Sequence, residues 1–402
     1  MGGCGHDRPR VAADCGVPTP PGQRSSDRLP SSRRRLPRSR PPWSAADHVV
    51  ALVGARLVDG AGGPAVDDAV VVLERERIMA VAHASPVPAG ARVVNLRGAT
   101  LTPGVIDAHV HLGLARDPAH LVRRGVTAVR DLGWPAGLLA PLVTTAWSAG
   151  LLVHVVGPIL TAPGGYPTRA AWAPAGTGRQ VGSPDEAVRA VDAVVALGAC
   201  AVKVGLEDRA GPLLDARTLA TVVERAAEWG RPVTAHVGSA DALALALDAG
   251  VAELAHVPFS PTPIPDHLVH RAVAAGVGLV PTLHCRDAAP GGERRAAISF
   301  LTRWVAAGGP VVYGTDLGNA CTAPGVDGRE LSLLAQAGLT PGEVVVAATS
   351  AAARAIGAAD ITGRVVPGLR ADLLVLDGDP LVDPAALARP RWVIAGGRPV
   401  AW

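Results

Sequence analysis

The sequence predicts an α/β protein with a (β/α)8 TIM barrel and a small β-sandwich domain formed by the N- and C-terminal flanks. Two observations support this prediction. In residues 103–357, short apolar stretches alternate with helical patterns, as in parallel strands joined by helices. On both sides of that segment, alternating apolar and polar residues between Gly, Pro and Asp indicate short antiparallel strands.

Residues 1–47 have a different composition from the rest of the chain. They hold nine Arg and four Asp, whereas the whole chain of 402 residues has a net charge of only +3. The segment is rich in Pro, Ser and Arg without periodicity, which predicts a disordered basic tail. No apolar region follows its arginines, so it does not resemble an export signal. Nucleic-acid binding by this tail is an alternative that predicts salt-sensitive binding, but no nucleic-acid partner is expected.

Ordered structure is predicted to begin near His48 with the alternating stretch HVVALVGARLVDG. The C-terminal stretches ADLLVLDGDP and PRWVIAGGRPVAW are likewise short apolar runs bounded by Gly, Pro or Asp. Residues 48–102 and 358–402 are therefore predicted to form one composite β-sandwich domain.

The segment 103–357 contains eight strand candidates. Helix signals between them include Ser183 with Glu186, the amphipathic stretch that ends at Gly230, and Thr340 with Glu343. The predicted strands are 103–111, 125–133, 151–158, 200–206, 232–238, 253–258, 278–284 and 311–316.

Apolar runs and cysteine usage bear on the cellular compartment of the protein. No apolar run has the length of a membrane span, so no membrane association is expected. The five cysteines are odd in number and irregularly spaced, which argues against a disulfide framework. These features predict a soluble cytoplasmic protein. A second copy of the chain, in a homo-oligomer, is the protein partner considered.

Six polar residues stand at or near the ends of predicted strands. In a barrel of this kind the carboxyl ends of the strands form one ring, where catalysis takes place. The six residues are His109, His111, Lys203, His236, His256 and Asp316.

Imidazole and carboxylate groups suit Zn²⁺ and similar divalent ions, and this set is large enough for two. Lys203 is the only lysine beside 37 arginines. An ammonium repels metals, but a neutral buried amine can capture CO₂ and become an anionic carbamate, which Arg cannot do. We therefore expect a carbamylated Lys203 between two metal ions, most naturally zinc. A salt bridge from Lys203 beside a one-metal site is the alternative.

The stretches TPGVIDAHVHLG, AVKVGL, VTAHVG, ELAHVP and VVYGTD resemble, in this order, the amidohydrolase superfamily. More narrowly, they are similar to its imidazolonepropionase-like and Xaa-Pro-dipeptidase-like members, over about residues 48–402. The resemblance implies that His109, His111 and Asp316 bind one metal and that His236 and His256 bind the second. It also implies a metal-bridging hydroxide and carbamate, with Asp316 as general base and then general acid.

Four further residues are expected to support the site. Asp131, at the end of the second predicted strand, is predicted to be the interaction partner of a metal ligand or to orient a loop. His154, Tyr166 and His284 are candidates for substrate binding. Some relatives carry a His where this chain has Tyr166, which argues against importing a dipeptidase specificity. His284 is equally compatible with packing in the barrel.

The predicted function is hydrolysis of an amide or other C–N bond in a small molecule, such as a cyclic amide, an N-acyl amino acid or a dipeptide. Ester or phosphoester hydrolysis, or decarboxylation, is possible with the same residues. A metal-holding scaffold without turnover is the non-enzymatic alternative, although the complete ligand set argues against it.

Overall fold

The computed structural model describes residues 41–401, except 45, 84, 85, 116, 259, 261, 287–292, 320 and 321. Most of the predicted tail 1–47 therefore lies outside the described residues, as do Cys4, Cys15 and Cys321. Within the last residues of that segment, Trp43 is buried and packs edge-on against Trp392. The packed part of the chain therefore begins before His48, the boundary that the sequence predicts.

The strands are short, and most carry a buried face. Their bounds are β1 (Val49–Leu57), β2 (Val66–Glu74), β3 (Arg77–His83), β4 (Arg92–Asn95), β5 (Thr100–Pro103), β6 (Val105–Val110), β7 (Val126–Asp131), β8 (Leu152–Val155), β9 (Ile159–Thr161), β10 (Gly178–Gln180), β11 (Val202–Leu206), β12 (Val233–Val237), β13 (Glu253–Leu254), β14 (Gly278–Leu279), β15 (Leu373–Leu376), β16 (Pro390–Ala395) and β17 (Arg398–Pro399).

The helices lie between the central strands and after them. Their bounds are α1 (Pro118–Arg123), α2 (Ala136–Ser148), α3 (Pro184–Ala196), α4 (Ala216–Glu228), α5 (Ala240–Ala249), α6 (Asp266–Ala274), α7 (Glu293–Ala306), α8 (Gly328–Gln336), α9 (Pro341–Ala348) and α10 (Ser350–Ala355). The helix starts predicted at Ser183 and Thr340 are confirmed, because both side chains accept a hydrogen bond from a backbone N–H in the first turn.

Both flanks of the chain contribute to one mixed sheet of eight strands. Its order is β17-β16-β15-β5-β1-β2-β3, with β4 paired to β1. The antiparallel contact between β5 and β15 joins the N-terminal to the C-terminal flank. Among the described residues the flanking strands form this single sheet, so the second layer of a sandwich stays a prediction.

The central strands are parallel, as predicted, and α helices alternate with them. They form a six-stranded sheet in the order β10-β9-β11-β12-β13-β14 and a three-stranded sheet in the order β6-β7-β8. A short backbone contact runs between the two sheets, because the N–H of Cys200 donates to the carbonyl of Val155 at 2.9 Å. The α/β class is therefore correct.

The eighth predicted strand differs from expectation. Residues 311–316 form only an isolated bridge, between Val311 and Leu279. The segment nevertheless contacts the first central strand, because the N–H of Ala108 donates to Tyr313 and the N–H of Asp316 donates to His109. Asp316, the last residue of the segment, adopts a left-handed φ of 54°.

The core consists mainly of aliphatic side chains from the central strands and the helices around them. The flanking sheet has its own cluster of buried apolar residues, which includes Trp43 and Trp392. Among the described residues, no helix is both long and apolar enough to cross a membrane.

Candidate metal centre

Six polar side chains from distant parts of the chain meet at the ends of the central strands. His109, Lys203 and His236 lie in β6, β11 and β12. His111 follows β6, His256 follows β13, and Asp316 follows the bridge at Val311. All six are buried. These residues, called the inward cluster below, are His109, His111, Lys203, His236, His256 and Asp316.

The carboxylate of Asp316 lies between two imidazoles. Its Oδ1 is 3.2 Å from Nε2 of His109 and 3.3 Å from Nε2 of His111. One ligand atom from each of these three residues lies within 4.8 Å of the others, a spacing that suits a metal ion. The ring of His256 is 4.4 Å from that of His109 and 5.0 Å from that of His236, measured between centroids.

Lys203 lies inside this group of rings. In the parallel register of β11 and β12, Lys203 pairs with Thr234 and Gly205 pairs with His236. Because side chains alternate along a strand, Lys203 and His236 are two steps apart on the same face. The Lys203 side chain is 2% exposed, and burial lowers the pKa of its amine to about 7.

Each imidazole of the inward cluster has a partner for one ring nitrogen, which orients the ring. The pairs are His109 Nδ1 with Ala255 O (2.8 Å), His111 Nδ1 with Gly133 O (3.3 Å), His236 Nε2 with Glu207 Oε2 (3.2 Å) and His256 Nδ1 with Thr282 Oγ1 (2.8 Å). The second nitrogen of His109 and that of His111 face the Asp316 carboxylate. In metal-binding histidines the outer nitrogen commonly donates to such a partner while the inner one accepts.

The backbone places two of these groups by unusual conformations. Asp316 and Thr282 are non-glycine residues with φ values of 54° and 50°. Such conformations cost free energy and concentrate at functional positions. Asp107 supports the Asp316 segment, since its carboxylate accepts hydrogen bonds from Thr315 N and Oγ1 and from His109 N.

The electrostatics keep most of the imidazoles neutral. Burial lowers the pKa of His109 to about 4 and holds that of His256 well below its ordinary value. Burial by itself would raise the pKa of Asp316, but the neighbouring His109 and His256 keep it well below its usual range. Neutral imidazoles around an ionised carboxylate are the protonation states that metal binding needs.

Three buried polar atoms of the cluster have no hydrogen-bond partner among the described residues. They are Nε2 of His109, Nζ of Lys203 and Oδ1 of Asp316. Unpaired buried polar atoms cost free energy, so their convergence requires an explanation. A divalent cation would satisfy the nitrogen and oxygen atoms, and a carbamate on Lys203 would turn the third into a further oxygen donor.

Asp131 adjoins the cluster without joining it. Its carboxylate accepts hydrogen bonds from the N–H groups of Leu112 and Gly133, at 2.7 and 3.1 Å. Gly133 is also the residue whose carbonyl orients His111. Asp131 thus holds Leu112, the neighbour of His111, and Gly133, whose carbonyl pairs with His111. Its supporting role at a metal ligand stays a prediction.

The three candidates for substrate contact lie in different surroundings. Tyr166 packs on His236, with ring centroids 4.6 Å apart. His284 follows β14, and its Nδ1 lies 2.5 Å from Oδ2 of Asp327. His154 is paired in register with Arg130 on β7, and its charged neighbours are Arg130 and Asp360 rather than the cluster.

Sequence reasoning missed Glu207, Thr282 and Trp172. Glu207 directly follows β11, so a polar residue at a strand end was available as a signal. Thr282 acts through a single hydroxyl and an unusual backbone angle, which no pattern reveals. Trp172 lies on His111, with centroids 4.5 Å apart, and comes from the segment between β9 and β10. Its position depends on the path of that segment.

Comparison with known proteins identifies the family. The amidohydrolase family model matches residues 100–398. An uncharacterized protein of Mycobacterium tuberculosis is 29% identical over 331 residues, which are 75% of this chain and 85% of that protein. Imidazolonepropionase of Streptomyces griseus is 28% identical over 367 residues, covering 83% of this chain and 92% of the relative.

Solved structures agree on the fold. The crystal structure of a Xaa-Pro dipeptidase with bound methionine matches with a TM-score of 0.73 at 21% identity. The match covers 87% of this chain and 99% of that structure. The chain therefore belongs to the amidohydrolase family.

Proposed function

We propose that this protein is a hydrolase of small-molecule amides that works with two divalent metal ions held by the inward cluster. His109, His111 and Asp316 would hold one ion, His236 and His256 the other, and carbamylated Lys203 would contribute to both. The observation that carries the proposal is the convergence of six buried groups whose chemistry suits metal ions, in which His109, His111 and Asp316 each bring one ligand atom within 4.8 Å of the others.

Lys203 supports the binuclear part of this proposal. Burial lowers the pKa of its amine to about 7, so a large share of the group is neutral at physiological pH. A neutral amine adds to CO₂, loses one proton from nitrogen and becomes an anionic carbamate with two oxygens. The anion would replace an unpaired buried Nζ with donors that suit zinc and related ions.

The chemistry divides between the metals and the protein. When bound, the metal ions supply Lewis acidity for the scissile carbonyl and lower the pKa of water. Asp316 is the residue placed to take a proton from the attacking water and return it to the leaving nitrogen. Its carboxylate lies between His109 and His111, and its low pKa keeps it ionised and ready to accept.

The proposed substrate class rests on the relatives. One is named as an imidazolonepropionase and another as a Xaa-Pro dipeptidase. Cyclic amides, N-acyl amino acids and dipeptides are therefore the compounds to screen first. A cytoplasmic location and a homo-oligomeric state accompany the proposal as predictions.

We further propose that the two central sheets are arcs of one closed (β/α)8 barrel. Three backbone contacts support closure: Cys200 to Val155 between β11 and β8, Val312 to Leu279, and Ala108 to Tyr313. In a closed barrel all strand ends share one rim, and this explains why six residues spread over two sheets and the 311–316 segment converge.

The first experiment measures metal per chain in wild type, Lys203→Ala and Lys203→Arg, each purified with zinc and bicarbonate. We expect about two metals in wild type and one or fewer in both variants, since Arg keeps the charge but cannot form a carbamate. Arg217→Ala, at an exposed position on α4, is the control and should match wild type.

Other outcomes would redirect the proposal. One metal in wild type and in both Lys203 variants would reject the carbamate bridge. No metal in wild type would reject the metal-dependent function. If wild type binds two metals and cleaves esters or phosphoesters but none of the amides, the two-metal centre stands and amides are rejected as the substrate class.

A further inference from the structure

Two aromatic side chains cover one side of the inward cluster. Trp172 lies on His111, with ring centroids 4.5 Å apart, and Tyr166 lies on His236 at 4.6 Å. The centroids of the two aromatic rings are 6.4 Å apart. Aromatic residues make up only 3% of this chain, so this pair is not a product of general composition. We call Tyr166 and Trp172 the aromatic wall.

The two wall residues are more exposed than the cluster that they contact. Most of the six cluster residues are almost completely buried, and the two with the largest exposure are His111 at 8% and Asp316 at 6%. Trp172 contacts His111, and both wall residues are only partly buried. Trp172 therefore adjoins the cluster residue that is the most exposed of the six.

Close backbone packing fixes the wall in place. A Cβ added at Gly205 would lie 2.4 Å from the carbonyl oxygen of Tyr166, so this glycine lets the loop rest directly on β11. A Cβ at Gly211 would lie 2.5 Å from the carbonyl oxygen of Gly164 in the same loop. Within the loop, Thr168 Oγ1 donates to Gly165 O at 2.6 Å. The surface is preformed, so binding against it costs little reorganisation.

We propose that the aromatic wall makes this centre select amides that carry a flat, uncharged ring beside the scissile bond. This inference rests on the proposed function. A planar ring can lie against an aromatic face over its whole area, and such contacts favour offset or edge-to-face geometry. A puckered ring of the same carbon count buries similar apolar area but cannot match the face. Planarity is therefore the property that the wall distinguishes.

The test uses two ligand pairs, each with one member that carries a planar aromatic six-carbon ring and one that carries the saturated, puckered ring. The first pair, benzylphosphonate and cyclohexylmethylphosphonate, reports binding to the metal-loaded protein by calorimetry without turnover. The second pair, N-benzoylglycine and N-cyclohexanecarbonylglycine, reports hydrolysis. We expect wild type to prefer the planar member of each pair by about tenfold.

The variants separate the wall from general stability. Trp172→Leu should reduce the preference to about equality, whereas Trp172→Phe, which keeps a smaller ring, should retain part of it. Gly205→Ala should weaken the preference by displacing the loop while leaving both rings in the chain. Trp147→Leu, at a position 61% exposed, is the control and should behave as wild type. Metal content is measured on each variant so that only loaded proteins are compared.

The outcomes distinguish this inference from the proposed function. Amide hydrolysis without a ring preference, or a preference that survives in Trp172→Leu, would reject ring selection by the aromatic wall and leave the proposed amide hydrolysis standing. A planar preference in binding that depends on Trp172, with no amide cleaved by wild type, overturns the amide function and keeps ring recognition at the wall. Equal binding of both phosphonates together with no hydrolysis overturns both.

Discussion

Three kinds of group orient the four imidazoles of the inward cluster from outside. Backbone carbonyls contact His109 and His111, and a hydroxyl contacts His256. The outer partner of His236 is a carboxylate, that of Glu207, which is itself buried. A carboxylate partner makes an imidazole a stronger electron donor than a neutral acceptor does. The second proposed metal therefore depends on Glu207 more than the first does.

Replacing that carboxylate should weaken metal binding. We expect Glu207→Gln to lower the affinity for one of the two zinc ions by about 10- to 100-fold, because Gln keeps the shape but loses the charge. Competition with a chromogenic chelator measures this affinity directly. The matched control is Glu293→Gln. It removes a carboxylate charge that lies 3.5 Å from Arg209, the arginine that also pairs with Glu207, and it does not contact His236. Equal zinc affinities in wild type and Glu207→Gln would show that Glu207 does not tune the centre.

At the scale of elements, α8 is tied to the segment after β14 by a buried glutamate. Glu330 is fully buried in the first turn of α8, and its Oε2 accepts a hydrogen bond from the N–H of His284 at 2.7 Å. Burial raises the pKa of Glu330 to about 8. Its folded-state pKa therefore lies above the value of about 4.5 expected for the unfolded chain.

This shift predicts a pH-dependent stability with a definite sign. The unfolded state loses its proton first as pH rises from about 4.5, so the folded state is progressively penalised until about pH 8. Relative to Glu330→Gln, wild type should lose up to about 1.4 kcal/mol of stability per pH unit in that window. Chemical denaturation at pH 5, 6, 7 and 8 measures the difference.

The control for this experiment is Glu224→Gln, at an exposed position on α4. Its stability should run parallel to that of wild type at every pH. Parallel curves for Glu330→Gln as well would mean that Glu330 is not protonated in the folded protein between pH 5 and pH 8.

At the scale of the whole molecule, the flanking sheet joins the two ends of the described chain. Trp43, six residues before β1, packs on Trp392 in β16 with centroids 5.6 Å apart and an interplanar angle of 80°. Both side chains are buried, at 6% and 7% exposure. This contact supplements the β5–β15 pairing and lies outside the boundary at residue 48 that composition predicts.

Removing this ring should destabilise the protein. We expect Trp43→Ala to lower the free energy of unfolding by about 3 kcal/mol, since it deletes a large buried side chain. Equilibrium unfolding in guanidinium followed by circular dichroism measures the change. Trp147→Ala, at an exposed position on α2, should stay within about 0.5 kcal/mol of wild type. A similarly small effect for Trp43→Ala would place Trp43 outside the stabilising core.

The family and the composition of the cluster were predictable because they depend on local patterns. Strand alternation places His109 and His111 on one face, and the rule for strand ends brings residues as far apart as His109 and Asp316 to one place. The same rule applied to Glu207 would have found it. The last strand was predicted less well, because residues 311–316 form an isolated bridge to Leu279 instead of a regular ladder.

By itself the sequence determined the parallel α/β class, the family and the six residues of the inward cluster, since each follows from short periodic patterns and from side-chain chemistry. Only the tertiary structure decided which group orients each imidazole and that Tyr166 and Trp172 cover the cluster. These contacts join residues from separate segments, and glycines such as Gly205 permit the approach of one backbone to another. The path of a loop depends on packing that no local pattern contains, so its contacts with the site appear only in the folded chain.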